Sequence, residues 1–139
     1  MQEVSPWMFK GRPVCENDLE GKTSFVYLIE HKKTGKSYIG KKRLSRKLKR
    51  KPLKGKKRNR ISYVESDWRD YFGSNDVLQA EVAEQGPKAF TRTILRLCKS
   101  LSESSYYEAK IQFDEDVLLH PDKWYNSWIS CRLRSSHFK

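Results

Sequence analysis

Two segments constrain this chain more than anything else in it. Ser24-Phe-Val-Tyr-Leu-Ile-Glu30 is rich in β-branched and aromatic residues and apolar on both alternating faces, and Phe90–Cys98 is a second segment of the central-strand type. A strand with one wet face alternates apolar and polar residues, so a strand that is apolar throughout has to be covered on both sides. Both segments therefore read as central strands. After the first, His31-Lys-Lys-Thr-Gly35 reads as a turn, with Gly35 free to take positive φ, and Lys36-Ser-Tyr-Ile-Gly40 as the returning strand of a β-hairpin. Asp76 to Gln85 carries Val77, Leu78 and Val82 at helical spacing and is stopped by Gly86-Pro87. Ser102 to Leu119 reads as a long helix with Tyr106, Ala109, Phe113 and Val117 along one stripe, ended by Pro121.

Charge divides the chain sharply. It holds 29 Lys+Arg against 17 Asp+Glu, a net +12, and 13 of the basic residues fall in Lys41–Arg60, which contains no acid. The remainder carries 16 basic and 17 acidic residues, a net of −1. A near-neutral domain with one intensely basic block has the electrostatic footprint of a polyanion binder. A membrane surface fits less well, because the block lacks the interleaved large apolar residues of an interfacial helix. Leu44 and Leu48 are spaced to seat a short helix, Pro52 and Gly55 would end it, and Lys56 to Ser62 is expected to be a mobile loop.

Other classes are disfavoured. Cys15, Cys98 and Cys131 are far apart and odd in number, and His31, His120 and His137 are equally scattered, which argues against a disulfide framework or a structural zinc. Cys98 sits in an apolar run and is expected in the core. No apolar run is long enough to cross a bilayer, and Met1–Lys10 lacks the order of a signal peptide, so a cytoplasmic location is expected.

Five motifs, in order, resemble the GIY-YIG nucleases. Phe25-Val26-Tyr27 stands where the first would lie, though without its glycine at position 25, and Tyr38-Ile39-Gly40 matches the second. Gln85 to Leu95 looks like the strand after the second helix, Glu108 falls where the metal-binding glutamate lies, and Tyr125-Asn126 resembles the closing asparagine. The Tyr71-Phe-Gly-Ser74 cluster is similar to phage-encoded relatives of the homing-endonuclease type, whose location would be a bacterial host cell. The resemblance implies an α+β fold, a small three-stranded mixed β-sheet flanked by helices in a single domain. On that reading 1–23 is an N-terminal arm whose Trp7, Met8 and Phe9 pack on the domain. The nuclease domain would run 24–130 with a basic insert at 41–60, and 131–139 would be a C-terminal tail.

The activity implied is that of an endonuclease cutting double-stranded DNA with Mg²⁺ or Mn²⁺, acting as a monomer or dimer on DNA without an obligate protein partner. Tyr27 is expected to serve as general base or to orient the attacking water, with Lys41, Lys42 and Arg43 favouring its phenolate. Tyr38 and Lys42 would stabilise the phosphate, and Glu108 would hold the metal. Ser105-Tyr-Tyr-Glu108 also fits a capping box, but Ser100-Leu-Ser-Glu103 fits one too and starts the helix earlier, leaving Glu108 free to project. Arg43, Arg46 and Arg50 all fit the family's arginine, and Arg46 is taken as the phosphate clamp. Gly40, Lys41, Arg43, Arg50, Lys56, Arg58, Arg60, Ser74 and Asn126 are expected DNA contacts. The rival reading is a non-catalytic basic nucleic-acid-binding protein on a degenerate nuclease fold. A weaker one is an RNA-binding protein that stacks bases on Trp68, Tyr71 and Phe72.

Overall fold

A computed structural model describes residues 5–138; residues 1–4 of the expected arm and Lys139 of the tail lie outside it. Its centre is the pair of apolar strands, β3 (Ser24–His31) and β7 (Phe90–Cys98), hydrogen-bonded antiparallel. β4 (Ser37–Arg43) flanks β3 as the second arm of the hairpin, antiparallel in a register that sets Tyr27 opposite Gly40 and Ile29 opposite Tyr38. These are the three expected strands. The sheet is wider, because the segment read as an irregular arm supplies β1 (Trp7–Phe9) and β2 (Arg12–Pro13), giving the order β2-β1-β7-β3-β4. β1 runs parallel to β7, and this pairing makes the sheet mixed. Val14 and Trp7 close the β1–β2 turn through a 2.8 Å backbone bond before α1 (Glu16–Leu19).

A β-bulge between Val26 and Tyr27 keeps both faces of the sheet apolar. Val26 pairs with Arg96 and Tyr27 with Ile94, so Leu95 is skipped. Phe90, Arg92 and Ile94 therefore share one face with Leu97, while Cys98 turns to the other. On the first face Trp7, Phe25, Tyr27, Ile29, Trp68, Leu78, Phe90 and Ile94 form the larger core. Trp7, Phe25, Tyr27 and Trp68 meet there edge to face, at centroid separations of 5.1–6.0 Å. Each such pair contributes about 0.5–1.5 kcal/mol beyond the area it buries. Trp68 also accepts the Trp7 indole N–H on its carbonyl at 2.7 Å and is 2 % exposed, so it is core and not a base-stacking platform. α2 (Asp76–Gln85), capped by the Asn75 side chain on Leu78 N, closes this face with Leu78 and Val82.

α3 (Leu101–Asp114) covers the second face, where Val26, Ile39, Cys98, Val117 and Trp124 are buried. Ser100 is its N-cap, accepting from Glu103 N at 3.1 Å, while the Glu103 carboxylate accepts from Lys99 N at 3.2 Å, so the helix takes the earlier of the two starts. Of the expected stripe, Ala109 is buried in the helix, but the two aromatic positions are not. Tyr106 and Phe113 are 46 % and 62 % exposed, and the helix stops at Asp114 because Asp116 takes a left-handed conformation, φ 53°. Val117 reaches the core from a 3-10 turn after that break. The face turned to the sheet carries Ser104, Glu108 and Gln112, four residues apart, beside Tyr107 and Ile111.

The basic block is also corrected. Instead of a helix followed by a mobile loop, β5 (Ser45–Arg50) pairs antiparallel with β6 (Arg60–Glu65) as a separate two-stranded ribbon. A helix here would stack Arg46 on Arg50 and Lys47 on Lys51, like charges at i,i+4. In the ribbon Arg46 lies opposite Val64, Lys47 opposite Tyr63 and Lys49 opposite Ile61. Leu44 makes the corner, its N–H donating to Thr23 O and its carbonyl accepting from Ser66 N, both at 2.9 Å.

Candidate active site

Gly40 organises the site. It lies opposite Tyr27 on the edge strand β4, and a Cβ there would stand 2.6 Å from Tyr27 Cζ and 2.9 Å from Tyr38 Cε1. The absent side chain is what lets the Tyr27 ring, whose body is buried under Trp7 and Phe25, carry its hydroxyl across to the sheet edge beside Tyr38. Gly40 was expected as a DNA contact; what its missing side chain permits in the structure is the close approach of two phenol rings. Gly73, at φ 88°, packs against Leu78 and Tyr38 and delivers Ser74, whose Oγ lies 3.2 Å from the Tyr38 hydroxyl.

From the other face α3 brings Glu108 to the same edge. Tyr27, Tyr38, Lys41, Ser74, Glu108 and Asn126, all singled out in the sequence, line one cleft of about 360 Å³ together with Gln112. Burial raises the Glu108 carboxyl above its ordinary value of 4.5, opposed by the charge and backbone N–H of Lys41. None of the ion pairs among the described residues involves Glu108, since the Lys41 ammonium bonds Ser105 Oγ at 2.5 Å. No cluster of three His, Cys, Asp or Glu occurs among the described residues. A cation here would rest on one carboxylate, completed by water and substrate oxygens. That donor set suits Mg²⁺ or Mn²⁺, hard ions that accept oxygen ligands and retain water, and does not suit zinc.

Asn126 is 6 % exposed and spends both ends of its amide on Ile39, accepting from its N–H at 3.1 Å and donating to its carbonyl at 2.8 Å. Gln112 Nε2 donates to the same carbonyl at 3.0 Å. These two amides serve the outer edge of β4 as a further strand would. Asn126 thereby fixes the backbone between Tyr38 and Gly40, with both ends of its amide engaged within the protein.

Two other expectations change. Lys42 and Arg46 lie outside the lining of the cleft. The Lys42 ammonium sits 2.5 Å from Asp67 and 4.1 Å from the centroid of the Tyr71 ring. Arg46 lines a neighbouring hollow with Lys41, Lys42, Arg43 and Asp67. The basic residues also do not favour a Tyr27 phenolate. Burial drives the Tyr27 pKa well above 10, and Tyr71, Tyr38 and Glu108 push the same way. Tyr38 is raised as well, chiefly by burial.

Sequence reasoning missed Arg92 and gave Tyr71 only a base-stacking role. Tyr71 meets Tyr27 edge to face at 5.9 Å and carries Lys42 on its ring. It is held by Arg92, 1 % exposed on β7. Arg92 Nη1 donates to the carbonyls of Arg69 and Tyr71, both at 2.9 Å, and Nη2 donates to Ser5 O. Its guanidinium lies between the Trp7 and Phe72 rings, at 4.6 and 4.3 Å, and burial pulls its pKa down to about 10. The signal was available: an arginine inside a strand otherwise apolar on that face has to be answered by carbonyls, carboxylates or rings.

A family model described as "Putative endonuclease segE, GIY-YIG domain" matches residues 7–129, a span that takes in β1, every lining residue named above and Asn126. No curated protein and no solved structure matches the chain. Among the described residues no helix is long and apolar enough to cross a membrane.

Proposed function

This chain belongs to the GIY-YIG nuclease family, and we propose that it is an endonuclease that hydrolyses phosphodiester bonds of double-stranded DNA with a divalent cation, in the manner of the homing endonucleases. The observation that carries the reading is the convergence of Tyr27, Tyr38, Lys41 and Glu108, from β3, β4 and α3, on one cleft at the sheet edge. Glu108 would hold Mg²⁺ or Mn²⁺, which supplies charge neutralisation on the scissile phosphate. Tyr27, kept neutral by its burial, acts through its hydroxyl as a hydrogen-bonding group that orients the attacking water. Tyr38, with Ser74 behind its hydroxyl, binds a phosphate oxygen, and Lys41 supplies the nearest positive charge. Lys42 acts one step removed, through Tyr71, and Arg43 and Arg46 continue the basic surface along the neighbouring hollow.

The test is nicking of supercoiled plasmid with Mg²⁺ and with EDTA by the wild type and by Glu108→Ala. Cutting by the wild type only, lost on chelation, is expected. Equal cutting by both proteins would sink the assignment of Glu108, and binding without cutting by either would favour the non-catalytic rival.

A further inference from the structure

The ribbon β5–β6 has no folding task that explains its composition. It pairs with no strand of the main sheet. It and its tip, residues 45–65, carry Arg46, Lys47, Lys49, Arg50, Lys51, Lys54, Lys56, Lys57, Arg58 and Arg60, and none of these ten makes an ion pair within the described residues. The faces follow from the register. Lys47, Lys49, Ile61 and Tyr63 share one, and Arg46, Arg50, Arg60, Ser62, Leu48 and Val64 share the other. On the second face Arg50 and Arg60 are direct cross-strand partners, both exposed. Like charges opposite each other destabilise a ladder, so this pair works against the isolated ribbon. Its root is Arg46, which lines the hollow shared with Lys41, Lys42 and Arg43 and so joins this face to the rim of the cleft.

We propose that β5–β6 is a DNA-reading arm that lies in the major groove of the duplex beside the scissile phosphate, with the Arg46–Arg50–Arg60 face turned to the DNA. The proposal rests on the nuclease reading for its choice of partner. Six paired residues per strand span about 20 Å. A two-stranded ribbon fits the major groove of B-DNA, which is about 12 Å wide. Arginine offers paired donors to guanine edges and to phosphates, and the groove removes the repulsion between Arg50 and Arg60 by placing anions around both. The lysine-rich tip, 51–59, then reaches the far backbone as a positioning contact.

Binding of the full-length protein to a labelled short duplex, measured by anisotropy in EDTA over a range of salt, tests this without cleavage. Arg50→Ala/Arg60→Ala is expected to weaken binding at least tenfold and to reduce the salt slope by about 2, since each phosphate contact contributes about 0.9. Lys47→Ala/Lys49→Ala removes the same charge from the opposite face and is expected to cost much less. Duplex RNA, whose major groove is too deep and narrow for a ribbon, should bind more weakly than DNA of the same sequence. Equal losses in the two double variants, or equal affinity for the two duplexes, would overturn the groove-reading arm. Plasmid nicking by the wild type, scored separately, keeps a failure of the arm distinct from a failure of the nuclease reading.

Discussion

The Gly40→Ala variant tests whether the tyrosine pair depends on an absent side chain. Gly40 does not have positive φ, so alanine brings no backbone penalty there. Replacing glycine at such a position would ordinarily stabilise by about 0.4–1 kcal/mol through the unfolded chain. Against this stands the added methyl, 2.6 Å from Tyr27 Cζ and 2.9 Å from Tyr38 Cε1. Neither ring yields easily, because Tyr27 is wedged among Trp7, Phe25 and Tyr71. Overpacking of this kind costs about 1–3 kcal/mol, and the rigidity of the site puts it near the top of that range. The net is a loss of about 2 kcal/mol, a fall in Tm of about 6 °C for a chain of this length. Plasmid nicking should fall further, on the order of a hundredfold, because the hydroxyls that orient water and phosphate are the atoms displaced. Tyr27→Phe in the same chain removes the oxygen closest to the new methyl. The double variant should regain part of the lost stability in urea denaturation and none of the activity. Wild-type stability and nicking in Gly40→Ala, or strictly additive stabilities in the pair, would mean that the tyrosine pair does not depend on the glycine.

Arg92→Met should lose at least about 2 kcal/mol in urea denaturation, since it leaves the Arg69 and Tyr71 carbonyls without their donor. It should also slow nicking by releasing Tyr71, and Arg92→Lys, lacking the fork, should recover neither; a stable, active Arg92→Met would remove the anchoring role. Glu108 gives a pH dependence with a definite sign. Its carboxyl is held above 4.5, so protons compete with the cation at a higher pH than for an ordinary glutamate. The Mg²⁺ concentration for half-maximal nicking should therefore rise as pH falls through that raised pKa, and a half-saturation independent of pH until the ordinary carboxylate range is reached would contradict it.

Much of the fold was legible because its signals are local. Phe90–Cys98 and Asp76–Gln85 have the expected bounds, as apolar density and a Gly-Pro stop are properties of a few adjacent residues. What failed to read out depends on distant partners. Trp7–Phe9 is a short apolar segment that becomes a strand only because β7 offers a free edge. The basic block has two leucines at helical spacing, yet Ile61, Tyr63 and Val64, more than a dozen residues on, supply a ladder that a run of like charges prefers to its own helix. In α3 the hydrophobic stripe was sought and the polar one mattered: Ser104, Glu108 and Gln112 repeat every four residues and face the sheet, a pattern visible in the sequence once polar positions are given the same periodicity test as apolar ones.

The same distinction between local and distant partners governs the site. The tyrosines and the glutamate marked in the sequence do line one cleft, but their electrostatics were inferred from neighbours in sequence. Lys41, Lys42 and Arg43 follow Tyr38 directly, and adjacency suggested that they would ease a proton from Tyr27. Alternation along β4 separates them: Lys41 turns to Ser105 and Glu108 on α3, and Lys42 to Tyr71 and Asp67 on the opposite side. Tyr27 is left with aromatic rings, burial and a carboxylate, all of which hold its proton. On the proposed reading the protein alone does not prime the tyrosine. The Tyr27 hydroxyl serves as a neutral hydrogen-bonding group, and a cation held by Glu108 would supply the positive charge that the lysines do not bring to it. The water that Tyr27 orients would then depend on the cation and the phosphate for its activation, which would tie hydrolysis to the assembled complex.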